Sequence, residues 1–176
     1  MDQHPAHNRP MIVVVMGVSG SGKTTVAKLL AERSGWQFQE GDTLHPPANV
    51  EKMSAGIPLT DADRLPWLDA IGAWIDQEDA AARSAVVACS ALRRRYRDRL
   101  RAGRPELRMF FLVVGHEADE ARLSSRRGHF FPEKLLDSQF ATLELPEPSE
   151  EVTLIPTTGT PDQTADEILR DLGQAG

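Results

Sequence analysis

Eight consecutive residues, Gly17-Val18-Ser19-Gly20-Ser21-Gly22-Lys23-Thr24, match the pattern G-x-x-x-x-G-K-[ST] in full. A loop of this kind holds phosphate. Its glycines let backbone N–H groups close around phosphate oxygens, and a helix starting at its end adds partial positive charge. The lysine reaches the terminal phosphates, and the threonine hydroxyl can ligate Mg²⁺. Gly17, Ser19, Gly20, Ser21, Gly22, Lys23, Thr24 and Thr25 are the expected nucleotide-binding residues, with Lys23 also catalytic and Thr24 also a metal ligand. A Gly-rich turn with an incidental Lys-Thr is the bland alternative. The setting, between an apolar strand and a helix, argues against it. The pattern points to a nucleoside triphosphate and leaves open what is done with it.

Two carboxylates follow in Glu40-Gly41-Asp42. They fall at the C-terminal end of the second expected strand, the edge where open α/β sheets bind ligands. Residues i and i+2 of a strand share a face, so both are expected to point at one site. A phosphoryl acceptor needs a carboxylate to orient its hydroxyl and take the proton, and metal-bound water needs an acceptor. The third strand ends in Cys89-Ser90 with no acidic residue, which leaves Glu40 or Asp42 as the partner for that water. A solvated strand end leading into a turn is the alternative reading.

The elements that must position these groups are legible as a pattern. Met11–Met16 is a β-branched apolar run, expected as a buried strand, and Thr24–Ser34 is a helix closed near Gly35. Trp36–Glu40, Ala85–Cys89, Leu107–Val114 and Val152–Ile155 are further strands. Asp63–Ala82, with Pro66 in its first turn, Leu92–Ala102, Glu117–Arg126, Glu133–Leu143 and Pro161–Leu172 are further helices. Strands alternating with helices, most of them apolar on both faces, imply a parallel sheet between helical layers.

The chain has 176 residues, 40% of them apolar and 26% charged. That fits one domain over residues 11–176 behind a loose tail at 1–10. No apolar run approaches the roughly 20 residues that cross a bilayer, and no signal-peptide pattern opens the chain. One Cys excludes an intramolecular disulfide and a Cys-rich zinc site. The expectation is a soluble cytoplasmic protein with no membrane partner. The net charge of -6 argues against general nucleic-acid binding, yet residues 93–134 hold 12 of the 20 Lys+Arg against 6 acids. Arg outnumbers Lys 16 to 4. A guanidinium fork suits carboxylate and phosphate, so a small polyanionic ligand fits this zone. A high-GC genome would favour Arg equally.

Beyond the phosphate loop, Gly41-Asp42 with Leu44-His45-Pro46-Pro47-Ala48-Asn49-Val50-Glu51-Lys52-Met53 and Gly56-Ile57-Pro58-Leu59-Thr60-Asp61-Ala62-Asp63-Arg64-Leu65-Pro66-Trp67-Leu68 resembles the gluconokinase signature. Cys89-Ser90-Ala91-Leu92 with Tyr96-Arg97-Asp98, Arg122-Leu123 with Arg126-Arg127-Gly128-His129-Phe130-Phe131, and Ser138-Gln139-Phe140 with Leu143-Glu144 agree with it in family order. The resemblance covers about residues 11 to 145. It implies an α/β, three-layer, adenylate-kinase-like P-loop kinase with a five-stranded parallel sheet, a helical substrate-binding region and a lid near 127–132. It implies ATP and Mg²⁺ as cofactors, D-gluconate as the phosphoryl acceptor at its 6-hydroxyl, and a homodimer. Pro47-Ala48 and the run Arg93-Arg94-Arg95 depart from commoner family residues.

On that resemblance Asp42 is the catalytic base, and Glu40 holds a Mg²⁺ water. Arg64 clamps the substrate carboxylate, against a surface ion pair with Asp61 or Asp63 as the plainer reading. Arg122 and Arg126, four apart on one helix face, are assigned to adenine stacking and to the transferring phosphoryl, Arg126 being catalytic. His45, Ser90, Arg93, Arg97 and His129 complete the expected substrate contacts; for Arg93–Arg101 the plainer reading is a solvated helix face. Cys89 reads as a buried strand end, and Trp67 and Trp74 as core or subunit contact. Another kinase of this fold, a shikimate kinase or a nucleoside monophosphate kinase, is the runner-up; shikimate kinases are expected to carry a Gly-Gly-Gly stretch where this chain has Cys89-Ser90-Ala91. RNA-binding signatures are missing and no aromatics interleave with the Arg run, which disfavours a nucleotide-switched RNA or protein binding module.

Overall fold

The computed structural model describes residues 10–114 and 142–173. Five strands, β1 (Ile12–Met16), β2 (Gln37–Glu40), β3 (Ala85–Ala88), β4 (Arg108–Val113) and β5 (Val152–Pro156), form one sheet in the order β2-β3-β1-β4-β5. Every neighbouring pair is parallel. Helices α1 (Lys23–Ser34), α2 (Pro47–Ser54), α3 (Asp61–Ala80), α4 (Arg94–Arg101) and α5 (Pro161–Asp171) supply the outer layers.

β1 is apolar at every position because both of its faces are covered. Val13 and Val15 pack with Val26, Ala27 and Leu30 of α1 and Ala165 and Ile168 of α5. Val14 and Met16 face the other way, into Leu68, Ile71 and Ile75 of α3 and Tyr96 and Leu100 of α4. The central strand thus anchors two cores, and the loop after it inherits a fixed origin.

The described helices differ from expectation in three places. α3 begins at Asp61, two residues early, because Thr60 caps it: the Thr60 hydroxyl accepts from Asp63 N–H, and the Asp63 carboxylate accepts from Thr60 N–H. Pro66 therefore sits in the helix interior and not in the first turn, where it removes the hydrogen bond the Ala62 carbonyl would accept. α2 was not expected at all. It starts on Pro47, which suits the first helical position, but its eight residues are too few to show a period. The expected helices 117–126 and 133–143, and the insert 127–132, lie outside the described residues, 142 and 143 excepted.

The arginine run is not a free basic surface. Arg95 meets Asp61 at 2.6 Å, Arg99 meets Asp69 at 2.8 Å, and Arg104 meets Asp76 at 2.8 Å. These three pairs run along α3 and tie α4 and the turn after it to that helix. Within residues 93–104, Arg95, Arg99 and Arg104 are answered by acids of α3, and Arg94 and Arg97 by Glu147 and Glu150; residues 115–134 of the basic zone lie outside the described residues.

Candidate active site

The phosphate loop leaves β1 at Gly17, whose φ of +148° is a conformation L side chains rarely adopt. A Cβ there would stand 2.7 Å from Ser21 Oγ and 3.2 Å from the Leu112 carbonyl oxygen. The loop ends at Gly22, the N-cap of α1, which offers no side chain to the first N–H groups of that helix. Lys23 is buried, and Ser21 Oγ is buried with no hydrogen-bond partner among the described residues. Uncapped N–H groups, a buried ammonium and an unsatisfied hydroxyl at one loop are the donor set that phosphate oxygens satisfy.

A cavity of about 500 Å³ opens from this loop, within the usual range for small-molecule sites. Gly20 to Val26 form one wall, and Thr157, Gly159, Pro161 and Thr164 form the other. The second wall was not foreseen. Thr160 caps α5 through a reciprocal bond with Gln163, and that cap turns the chain sharply after β5. The signal lay in Thr157-Thr158-Gly159-Thr160-Pro161, a turn-and-cap stretch at the ligand-binding end of a parallel strand.

The acidic stretch reaches the loop from β2. The Thr24 hydroxyl donates to Glu40 Oε2, and Glu40 Oε1 accepts from Asp42 N–H at 3.3 Å. Glu40 ends β2, and Asp42 lies in a 3-10 turn, Gly41–Leu44, so the two carboxylates are placed by the turn and not by a shared strand face. Gly41 is required there because a side chain would collide with the Ala88 carbonyl of β3. Cys89, fully buried at the end of β3, has its thiol pushed up to about 12, first by burial and then by the charge of Asp42; Lys23 pulls it down and Glu40 pushes it up. Lys23, Glu40 and Asp42 are thus all within electrostatic reach of one point at the end of β3.

From Gly41 a connected wall extends through the resemblance motif. Trp67 is buried, and its Nε1 donates to the Gly41 carbonyl at 2.8 Å. The His45 ring stacks on Trp67 with centroids 4.2 Å apart. Asn49 Nδ2 donates to the Asp63 carbonyl at 2.8 Å and lies 3.1 Å from His45 Nδ1. An amide N–H₂ facing Nδ1 makes that nitrogen the acceptor, so the proton sits on Nε2. Burial, then the Arg64 charge, push His45 down to about 4, leaving it neutral near pH 7. Lys52 Nζ pairs with Asp63 at 2.8 Å. Asn49 and Lys52, both within the resemblance motif, fasten α2 to α3.

Arg64 does not form the surface ion pair with Asp61 or Asp63 that is the plainer reading of its position. Its Nη1 donates to the Tyr96 hydroxyl at 2.9 Å, with the guanidinium 5.5 Å over the Tyr96 ring. Arg93 lies alongside, its buried Nε 4.0 Å from Asp61 Oδ1 and without a hydrogen bond among the described residues. Ser90 stands at the mouth of the phosphate loop, its carbonyl accepting from Gly17 N–H at 3.4 Å.

Arg97 has a different job from the one expected. Its side chain is 1% exposed. Nε bonds Glu150 Oε1 at 2.7 Å, Nη1 bonds the Ala91 carbonyl at 2.9 Å, and Nη2 bonds the Glu144 carbonyl at 2.8 Å. No nitrogen remains for a substrate; Arg97 braces the turn after β3 against the 144–150 stretch. Arg122, Arg126 and His129 lie outside the described residues.

Comparison with known proteins gives the lineage. A family model described as an AAA domain matches residues 12–146. A gluconokinase of Gluconobacter oxydans is 51% identical over 164 residues, covering 92% of this chain and 91% of the relative. A solved gluconokinase of Sinorhizobium meliloti superposes with a TM-score of 0.83 at 43% identity, covering 95% of this chain and 94% of the other. A solved sugar kinase of Janibacter superposes at 0.86 with 45% identity, covering 94% and 96%. The fold is that of a P-loop kinase, and the chain belongs to the gluconokinase family.

Proposed function

We propose that this protein transfers the γ-phosphoryl group of ATP to the 6-hydroxyl of D-gluconate, giving 6-phospho-D-gluconate and ADP. One observation carries the reading: Gly41, His45, Asn49, Lys52, Asp63 and Trp67, spread over three motifs, form a single network of contacts that begins beside Asp42. A family signature joined into one wall next to a phosphate loop is what an acceptor site requires.

In this reading the loop N–H groups, Ser21 and Lys23 hold the phosphates, and the Thr157–Pro161 turn closes the nucleotide side. Thr24 and Glu40 fit Mg²⁺, since both offer hard oxygen donors and Glu40 already accepts the Thr24 hydroxyl. When bound, that ion neutralises charge on the β- and γ-phosphates. Asp42, exposed at the turn, takes the proton of the 6-hydroxyl. His45 donates its Nε2–H to a substrate hydroxyl, Ser90 offers backbone, and Arg64 with Arg93 pairs the substrate carboxylate. Arg122, Arg126 and His129 enter from sequence alone, as groups for adenine, the transferring phosphoryl and the acceptor.

Family resemblance supports a cytoplasmic homodimer as the working state. Among the described residues, no helix is long and apolar enough to cross a membrane. The test is ADP release from Mg²⁺-ATP with gluconate, glucose, shikimate, AMP and RNA offered separately, and NMR of the product. Stimulation by gluconate alone with a phosphoester at C6 is expected. Stimulation by another acceptor in its place overturns the reading.

A further inference from the structure

Asp61, Tyr96 and Arg64 form a chain of hydrogen bonds whose direction is forced. A hydroxyl has one proton and two lone pairs, a carboxylate only accepts, and a guanidinium only donates. Tyr96 must therefore donate to Asp61, as it does, and accept from Arg64 Nη1 at 2.9 Å. The hydroxyl stands between two opposite charges that would otherwise pair directly. Tyr96 is 1% exposed and belongs to the buried core cluster that includes Leu68, Leu100 and Phe111, so the position of its oxygen is fixed by packing. Arg64 is only half-buried, and the bond to Tyr96 is the one hydrogen bond of its guanidinium among the described residues.

We propose that Tyr96 is a positioning residue for acceptor specificity: it holds the Arg64 guanidinium for an anionic end group and keeps Asp61 from capturing it. This rests on the reading of Arg64 as the group that meets the substrate carboxylate. Asp61 is itself surrounded, by Arg95 at 2.6 Å and Arg93 at 4.0 Å. Those two contacts hold the carboxylate on its own side of the hydroxyl. Burial and the bond to Asp61 keep the Tyr96 hydroxyl protonated well above neutrality, and that bond first among its contacts holds the Asp61 carboxyl below the usual range. The polarity of the chain is constant across the working pH range.

The test compares Tyr96→Phe, Arg64→Leu and the double variant Tyr96→Phe/Asp61→Asn with the unaltered enzyme. Tyr96→Phe keeps the ring and removes the hydroxyl. It is expected to raise the gluconate KM about 10-fold or more, the scale of a hydrogen bond to a charged group, with kcat and the ATP KM within about twofold. Asp61→Asn in that background should recover several-fold of the loss, because the competing charge is gone. An unchanged gluconate KM in Tyr96→Phe while Arg64→Leu raises it overturns the Tyr96 role and leaves the Arg64 reading intact. An unchanged KM in both removes that reading and this inference with it. Loss of kcat and ATP binding together marks a merely structural residue and overturns the proposal. Tyr96 is the only tyrosine in the chain, so 3-fluorotyrosine labelling gives a single ¹⁹F resonance in otherwise unaltered protein. That resonance should move on saturation with gluconate and stay in place with glucose; no movement with gluconate also overturns the proposal.

Discussion

Thr24 and Glu40 are sixteen residues apart, on different elements, and their side chains meet in a hydrogen bond that the threonine donates. This joins the end of the phosphate loop to the end of β2. The strand beside β1 contributes no acid, since β3 runs into Cys89-Ser90, and the carboxylate comes from one strand further out. The turn at Gly41, pressed against Ala88, brings it in.

Glu40→Gln should weaken activation by Mg²⁺ about 10–100-fold, the usual effect of removing an outer-sphere carboxylate. A Mg²⁺ titration of initial rate at saturating ATP and gluconate measures it. An unchanged half-activating concentration would remove Glu40 from the metal's surroundings.

Asp42→Asn should lower kcat about 10²–10⁴-fold with little change in gluconate KM, as expected for a lost general base. Lys23→Ala should abolish turnover while the protein stays folded. A rise in KM at constant kcat for Asp42→Asn reduces that residue to a binding group.

Arg64→Leu should erase most of a preference for gluconate over glucose that is expected to reach about 100-fold in kcat/KM, each tenfold being about 1.4 kcal/mol. The loss should fall on gluconate, with ATP affinity kept. Retained discrimination would move carboxylate recognition to Arg93.

His45 should leave no inflection near pH 6.5 in the gluconate KM. Its ordinary value is 6.5, and burial with the nearby Arg64 lowers it to about 4, so the ring is neutral throughout the pH range above that. Adding a proton below about 4 converts Nδ1 from acceptor to donor against the Asn49 amide. A pH profile of KM with a midpoint near 6.5 that disappears in His45→Gln would contradict this.

Arg97→Met should cost about 3–5 kcal/mol of stability, because it leaves the Glu150 carboxylate buried without its partner. Denaturant unfolding measures the loss, and Arg97→Met/Glu150→Gln should recover part of it. Burial pushes Glu150 up, but the Arg97 bonds, the Glu147 N–H and the charges of Arg97 and Arg94 outweigh that and hold its carboxyl below the ordinary range. A depressed carboxyl contributes stability that is complete above its unfolded value, near 4.5, and lost as pH falls through the folded one. The pair should therefore matter at neutral pH and fade in acid.

The phosphate loop was legible because its chemistry demands glycine, lysine and threonine at contiguous positions, and the strands because a covered parallel sheet demands unbroken apolar runs. Trp67, read as core or subunit contact from its place on an apolar helix face, is core. Arg97 was misjudged because residue type does not say whether an arginine turns in or out. Its burial depends on a carboxylate 53 residues later and on two carbonyls that only the fold brings near. The arginine run misled similarly: its charge is answered by Asp61, Asp69 and Asp76, whose spacing along α3 means nothing until α4 lies beside it. α2 and the Thr157–Pro161 wall were too short for any period to emerge.

The order β2-β3-β1-β4-β5 puts the first strand made at the centre of the sheet. Met11 N–H bonds the Ser84 hydroxyl 73 residues downstream, and β4 on the other side begins at Arg108. During synthesis, Ile12–Met16 leaves the ribosome as an apolar, β-prone segment with no neighbouring strand to pair with until Ala85–Ala88 has followed it. The yield of folded enzyme should thus depend on how fast residues 17–108 are translated and on chaperones that cover those five residues in the meantime.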